Sequence, residues 1–354
     1  MKKIIYMLMA AGMLAACENP LEYKPENRAD ELIVNALLDA SQTGHTVVVA
    51  VSSTEYIRNV NSATLRCFVN GRQVATSSEP VDSFYPYEGR GSSLEFSASF
   101  KAGDLVRIEV DAEGKFSAWC EQTVPEPAII NRVDTVRIDE VSYRFDINIS
   151  DVSADDEDFY RLAIYKTVEE DLYYEGSYTG HYSVSGGVFM ETGGDPVLSD
   201  GAIGNSGGLF DFGSTNYFGA FSDAMFNGGS VTIRPEVKDN FDLWEYPYTA
   251  EEPFDRIVAV NKARVSLSHL PKSCYYYFKA ANSLYEGTAD LALEDVQIPD
   301  NIEGGIGYIG LVNSSSVEIT FDSNEFDDIS LYNDFSTLST GGSFSRTRLS
   351  ASSR

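Results

Sequence analysis

The sequence predicts an all-β protein, and three observations carry that prediction. Short runs rich in β-branched and aromatic residues recur along the chain, Gly or Asn-Gly turns separate them, and 43% of residues are apolar with 12% aromatic, enough to fill cores. Seven runs come first: Glu31–Leu38, His45–Ser53, Ala63–Val69, Arg72–Ser77, Ser93–Phe100, Leu105–Asp111 and Phe116–Val124. Leu65, Cys67 and Val69 alternate with Arg66, Phe68 and Asn70, which puts one face of that strand toward a core. Asn70-Gly71 and Glu113-Gly114 are hairpin points, because glycine takes positive φ without steric penalty. Short strands punctuated by turns about every ten residues form the pattern of an immunoglobulin-like β-sandwich, here over residues 29–125.

Val124-Pro125-Glu126-Pro127 closes that unit, since prolines lack the amide donor that a central ladder needs. A second series follows over residues 128–321: Arg132–Ile138, Tyr143–Ser150, Phe159–Val168, Ser230–Pro235, Ala263–Leu270 and Tyr275–Ala281. Leu267 through Ala281 resembles the tyrosine corner of fibronectin type III modules, in which a leucine precedes a turn and a tyrosine opens the next strand. A helix over Cys274–Leu284 fits the same residues, because Tyr and Ala tolerate either state. Between Asp171 and Gly229 glycine is interleaved with Tyr173, Tyr174, Tyr178, Tyr182, Phe189, Tyr217, Phe218 and other rings. Such a segment reads either as cover for the second sandwich or as a long Tyr/Phe/Gly-rich insertion offering rigid contact area. Tyr178, Tyr182, Tyr217 and Phe218, flanked by Gly, Ser, Thr or Asn, are the candidate ligand- or partner-binding rings.

At the N-terminus, Lys2 and Lys3 precede the apolar run Ile4–Leu14 and then Ala15-Ala16-Cys17. That run is too short for a permanent membrane span. Small residues before a cysteine read as a lipoprotein signal peptide over residues 1–17, with Cys17 carrying diacylglycerol and acyl lipid as the membrane anchor. Residues 18–28, with Pro20 and Pro25, read as a tether, and residues 336–354, rich in Ser, Thr and Gly, as a flexible tail. Loss of Lys2 and Lys3 leaves 24 basic against 54 acidic residues, a formal charge of −30. That field repels phosphate backbones and argues against nucleic acid as a partner.

Chemistry is sparse in the sequence. His45, His181 and His269 stand in separate segments without metal-ligand spacing, so no zinc or other metal is expected. No Gly-x-Ser-x-Gly elbow appears, and Gly304-Gly305-Ile306-Gly307 lacks the Lys-Ser/Thr of a phosphate loop. It reads instead as backbone that bends sharply before a final strand. Two acidic clusters, Asp151/Asp155/Asp156/Glu157/Asp158 and Asp322/Glu325/Asp327/Asp328, miss the EF-hand spacing and read as solvated turn carboxylates. Cys67, Cys120 and Cys274 remain after lipidation; an odd number excludes full intramolecular pairing, and for Cys67 and Cys120, each in a strand-like run, buried free thiols are the first reading and a bridge between them in an oxidising compartment the alternative. No catalytic residue and no cofactor beyond the covalent lipid are expected.

Several patches carry a resemblance. The signal and lipid cysteine followed by Glu31-Leu32-Ile33-Val34-Asn35, the Val124-Pro125 boundary, Asp158-Phe159-Tyr160-Arg161-Leu162, Phe221 through Gly228, and Asn301 through Gly310 are similar to an uncharacterised family of Bacteroidota outer-membrane lipoproteins, domain of unknown function four-two-four-nine. Tyr308-Ile309 stands where that family often has Val or Phe followed by Phe. The resemblance implies a lipoprotein accompanying a TonB-dependent outer-membrane receptor, and it transfers no catalytic residue; the anchored chain faces the periplasm or the cell surface, the surface being favoured, with a peptide, glycan or other nutrient as candidate ligand. A surface adhesin or assembly subunit is the alternative. A glycan- or peptide-cleaving enzyme would need paired carboxylates facing one cleft. Cys17→Ser is expected to abolish incorporation of a fatty-acid probe; undiminished labelling would contradict Cys17 as the sole lipid site.

Overall fold

The computed structural model describes residues 30–53, 56–82, 91–139, 141–201, 215–238, 254–285, 298–321 and 324–327. The signal, the tether and the tail lie outside the described residues, as do residues 202–214 of the glycine-rich segment, Asp322 and Asp328. The first part of the chain forms β1 (Glu31–Asp39), β2 (Gly44–Ser52), β3 (Ile57–Arg58), β4 (Ala63–Val69), β5 (Arg72–Ser77), β6 (Val81–Asp82), β7 (Ser92–Ser97), β8 (Leu105–Ala112) and β9 (Phe116–Thr123). The rest forms β10 (Ile129–Arg137), β11 (Tyr143–Ser150), β12 (Phe159–Tyr174), β13 (Ser177–Gly187), β14 (Met190–Glu191), β15 (Ala220–Ser222), β16 (Ser230–Ile233), β17 (Glu236–Val237), β18 (Arg256–Leu270), helix α1 (Lys272–Tyr285), β19 (Ile306–Thr320) and β20 (Asn324–Asp327).

The fold is all-β and β-sandwich-like, with one α-helix among the described residues. A large sheet runs β13-β12-β18-β19-β1-β2-β7-β6. Its β1-β2-β7 half shares a core with the sheet β5-β4-β8-β9: Leu32, Val34, Val47, Val49 and Leu94 meet Leu65, Cys67, Ile108 and Val110. Its β12-β18 half shares a second core with β10-β11-β17-β14, where Tyr160, Leu162, Val265 and Leu267 meet Phe145, Ile147, Ile149 and Val237. The strict alternation of buried and half-buried residues along Tyr143–Ser150 is the two-residue strand period made visible. Cys67, Cys120 and Cys274 are separate buried thiols, each pushed up to about 12 by desolvation.

β19 joins the two halves. Residues Ile306–Val312 pair in parallel with Ile33–Asp39 of β1, and Asn313–Thr320 pair antiparallel with Lys262–His269 of β18. Ile302, Ile309 and Leu311 consequently pack in the first core although they lie far beyond Pro125–Pro127 in sequence. Gln122 bridges the other edge of this strand, donating to the Ile309 carbonyl and accepting from the Leu311 amide. The proline segment is itself held: Asn313 Nδ2 donates to the Pro125 carbonyl at 2.9 Å, Ser315 Oγ to the Ala128 carbonyl at 2.6 Å, and the Ala128 amide to the Asn313 carbonyl at 3.3 Å.

Parallel pairing at this point depends on glycine. Gly307 has φ +122°, and a Cβ there would collide with the Val34 carbonyl oxygen across the ladder. A Cβ on Gly310 would lie 2.9 Å from Cys274 Sγ of the helix and 2.9 Å from Leu37 Cδ1. The glycines of Asn301–Gly310 thus permit close approach of two backbones and a helix.

The helix corrects one expectation. Tyr275–Ala281 is not a strand after a tyrosine corner, because Cys274, Tyr275, Phe278 and Asn282 are buried at helical spacing while Tyr276 is exposed. Pro271 precedes the first turn, its carbonyl accepting from the Cys274 and Tyr275 amides. The apolar face then packs on Phe159, Leu270, Tyr308 and Val312.

Two outcomes are expected from this arrangement. Residues 28–125 expressed alone, lacking β19, should show no cooperative melt, and a sharp one would contradict the contribution of β19 to the first core. Gly307→Ala should lower stability by on the order of 3 kcal/mol in urea titrations of the full chain, since it combines backbone strain with a clash.

Candidate functional site

At the waist between the two halves, three carboxylates meet. Asp151 follows β11, Asp158 precedes β12 and Asp223 follows β15, and their ligand-type oxygens lie within 4.8 Å of one another. Asp158 and Asp223 are buried, so the reading of Asp151 and Asp158 as solvated turn carboxylates is corrected, whereas Asp155, Asp156 and Glu157 of the same run are exposed. The chain places them by local hydrogen bonds. Asp151 accepts from the Val152 amide (3.0 Å), the Gly228 amide (2.7 Å) and the Tyr160 hydroxyl (2.8 Å). Asp158 accepts from the Ser153 amide at 2.9 Å, and Asp223 from Asn227 Nδ2 at 3.0 Å.

His269, at the end of β18, completes the group. Its Nε2 lies 3.1 Å from Asp158 Oδ1 and its Nδ1 2.8 Å from the Glu126 carbonyl, while its ring stacks on Tyr160 with centroids 5.5 Å apart. Both ring nitrogens face oxygen, so the Nε2–Oδ1 contact holds one proton between histidine and carboxylate. Desolvation raises the Asp158 carboxyl above its ordinary range, partly opposed by His269, and raises Asp223 for the same primary reason, with Asp151 and Asp158 adding repulsion. The Tyr160 hydroxyl is pushed up by burial and by its bond to Asp151. Three hard oxygens could hold a divalent cation. The amide, hydroxyl, imidazole and side-chain amide donors already supplied make the cluster equally a self-contained clasp that ties the proline segment to β12 and β18.

The four candidate aromatic residues fall in two places. Tyr178 and Tyr182 lie on β13, in a hairpin with β12 that turns at Glu175-Gly176, both at positive φ. Tyr178 is 59% exposed and meets Tyr173 edge-on at 5.9 Å, and Tyr173 in turn carries the Arg256 guanidinium over its face. Tyr182 is half-buried against Leu172, Phe254, Ile257 and Ala259. Tyr217 and Phe218 sit near the waist, before β15. The Tyr217 amide donates to Asn282 of the helix, its ring lies 5.8 Å from Phe189, and Phe218 packs on Phe278. Twelve residues of β12 separate the levels of Arg161 and Tyr173, about 40 Å at strand rise, so the pairs form two surfaces and not one.

Comparison with protein families matches residues 18–318 to the family described as Domain of unknown function (DUF4249). The chain belongs to that family. Two of the DUF4249-like patches in the sequence meet at the waist: Asp158–Leu162 supplies Asp158 and Tyr160, and Phe221–Gly228 supplies Asp223, Asn227 and the Gly228 amide. Local spacing missed Asp223 and His269 as partners because they stand far from Asp158 in sequence; the one hint was that Asp223 lies within the Phe221–Gly228 patch.

No curated protein matches the DUF4249 chain. Among solved structures, a DUF4785 family protein from Legionella pneumophila has 9% identity and a TM-score of 0.19, over 66% of this chain and 51% of that one. The β-glucuronidase of Parabacteroides merdae has 10% identity and a TM-score of 0.16, over 67% of this chain and 23% of that one. The chain thus spans about half the length of the Legionella protein. Likenesses at these scores carry no argument, and neither family nor neighbours supply evidence of enzymatic activity. Among the described residues no helix is long and apolar enough to cross a membrane.

Raised carboxyl pKa values have a definite sign in stability. The folded state retains protons that the unfolded chain releases, so the contribution of Asp158 and Asp223 is present below their ordinary value of 3.8 and is lost as pH rises through the folded values. Asp223→Asn should therefore raise the urea midpoint at pH 8 and lose that advantage in acid below the ordinary carboxyl value. His269→Ala should lower unfolding stability at both pH values by about 1–3 kcal/mol, through loss of buried hydrogen bonds. A midpoint lowered equally at every pH by Asp223→Asn would contradict the assignment.

Proposed function

We propose that the chain is a non-enzymatic outer-membrane lipoprotein, anchored through Cys17, that acts as an accessory or ligand-binding subunit of a TonB-dependent nutrient transporter. In this reading the two cores belong to tandem immunoglobulin/fibronectin III-like sandwiches, and the anchor presents them on the cell surface. The observation that carries it is directional. β1 leaves the tether at Glu31 and runs parallel to β19, which continues into the second half; β18 returns alongside, and its Arg256 end pairs with Tyr173 at the hairpin tip. At about 3.3 Å per residue the fifteen residues of β19 alone extend roughly 50 Å, and the tip lies beyond them. The exposed Tyr174 and Tyr178, with Val184 further along β13, thus stand far from the tether, where a partner or nutrient is met. Rigid aromatic area at that position suits binding.

One observation favours the assembly-subunit reading. β13 ends the large sheet among the described residues, and its eleven residues include no Lys, Arg, Asp, Glu or Pro. An uncharged edge of that length accepts a further strand readily.

Purification of the tagged chain from detergent-solubilised membranes separates the two. A stoichiometric β-barrel receptor is expected; fibrous polymer would support assembly, and neither would contradict the transporter reading. Tyr178→Ala, at an exposed site, should leave stability within about 0.5 kcal/mol while weakening receptor or ligand binding by about 2 kcal/mol. Tyr182→Ala and Phe218→Ala should lower the melting temperature as well, since both rings are half-buried. Tyr217→Ala reports on the waist surface, and undiminished binding there places the contact at the tip.

A further inference from the structure

Among the described residues β13 has a ladder partner on one side only, β12. The register shift between Leu172–Gly180 and Tyr173–Tyr178 leaves Thr179 as a bulge, so the regular edge runs over Gly180–Gly187. The Val188 amide donates to the Ile164 carbonyl at 2.9 Å in the same register, which means that even-numbered residues of β13 spend their backbone groups on β12. Those of His181, Ser183, Ser185 and Gly187 point outward, and all four residues are exposed. Side chains divide by face. On one, Tyr182 and Val168 belong to the cluster of Leu172, Phe254, Ile257 and Ala259, and Val184, opposite Val168, is 67% exposed. On the other, His181 Nδ1 lies 2.8 Å from Asp171 Oδ1 and Ser185 Oγ 3.0 Å from Thr167 Oγ1, with Ser183 between them.

Charge and register together select an occupant. A chain of formal charge −28 repels its own copy, yet β13 carries no Lys, Arg, Asp or Glu. In the stretch of β12 beside it, Glu169 bridges Lys262, Asp171 meets His181, Glu170 is buried and Lys166 adds a positive charge. Antiparallel pairing with β13 of a second copy, centred on Ser183, sets the outward backbone groups of His181 against those of Ser185 and those of Ser183 against themselves. The same register puts each Tyr182 against Val184 of the other copy, an aromatic and β-branched pair, and Gly180 against Gly186. Apolar meets apolar on one face, and His181 meets Ser185 on the other.

We infer that Gly180–Gly187 is a dimerisation edge, along which two copies of this chain join their large sheets about a two-fold axis through Ser183. An isologous contact closes at two, so this edge makes a pair and no fibre. The inference goes beyond the transporter reading and holds with or without lipid on Cys17. Ser183→Cys tests it in the full-length protein. Cα atoms of opposed hydrogen-bonded residues are about 5.5 Å apart, within disulfide reach, so mild oxidation should join two copies through position 183. Cys67, Cys120 and Cys274 are buried, and the parent chain oxidised in parallel sets the background from Cys17. Tyr178→Cys, exposed but away from the axis, should be joined several-fold more slowly. Val184→Lys added to Ser183→Cys places a lysine at each apolar contact and should cut the yield several-fold while leaving the melting temperature unchanged. Equal joining at 178 and 183 reports random collision and overturns the inference, as does a yield that Val184→Lys leaves untouched. A mixed disulfide between position 183 and another membrane protein, in place of the homodimer, assigns the edge to a different partner and also overturns it. A receptor that copurifies with a Ser183→Cys chain showing no homodimer overturns the dimer edge and leaves the transporter reading standing; a homodimer without a receptor does the reverse.

Discussion

Seven residue pairs between β1 and β19, from Ile33–Ile306 to Asp39–Val312, hold this structure in its shape. A parallel pair needs a crossover between its strands, and here the crossover includes the entire second half of the molecule. Sheet continuity follows from it: the strand that closes the first core at Ile309 and Leu311 becomes, from Asn313 onward, a ladder strand of the second half. Gly307 and Gly310 let the partners approach, and Gln122 covers the side of β19 that has no ladder neighbour in the first half. Non-local closure of this kind is slow, because the loop entropy is lost before the contacts form. The chain completes its first core only when β19 arrives.

Stiffness at the waist follows from the same strand. The proline segment would be a hinge if its carbonyls faced water, but Asn313, Ser315 and His269 take up those of Pro125, Ala128 and Glu126. His269 spends its other nitrogen on Asp158, and Asp158 lies in the cluster with Asp151 and Asp223. Burying three carboxylates is unfavourable unless donors surround them, and here amides, a tyrosine hydroxyl and an imidazole do so. The Glu31 end of β1, the waist and the hairpin tip then keep a fixed order along one axis.

Much of the first half was legible in the sequence because its information is local. Alternation of small periods and Asn-Gly or Glu-Gly turns located β1, β2, β4, β5, β7, β8 and β9 to within a few residues at each end. The extension of β12 beyond Val168 was not legible, since Glu169-Glu170-Asp171 reads as solvent; in the fold Glu169 pairs with Lys262 and Asp171 with His181 from neighbouring strands. Tyr275–Ala281 failed as a strand because Tyr, Phe and Ala suit either state, and the buried set Cys274, Tyr275, Phe278 and Asn282 decides for a helix only once its packing surface is known. The glycines of Asn301–Gly310 announced an unusual backbone without naming the strand they approach. The waist cluster was half visible: Asp151 and Asp158 stood out as charge, and only topology brought in Asp223 and His269.

Amide hydrogen exchange on the full-length protein, read strand by strand, tests most directly whether β19 unites the two halves. Ile306–Val312, Ile33–Asp39 and Val265–Leu267 should exchange with one common opening free energy at the global limit, because the first core cannot open without releasing a strand shared with the second. Protection of β1 and β2 that is lost in mild denaturant while β18 and β12 remain fully protected would contradict that account.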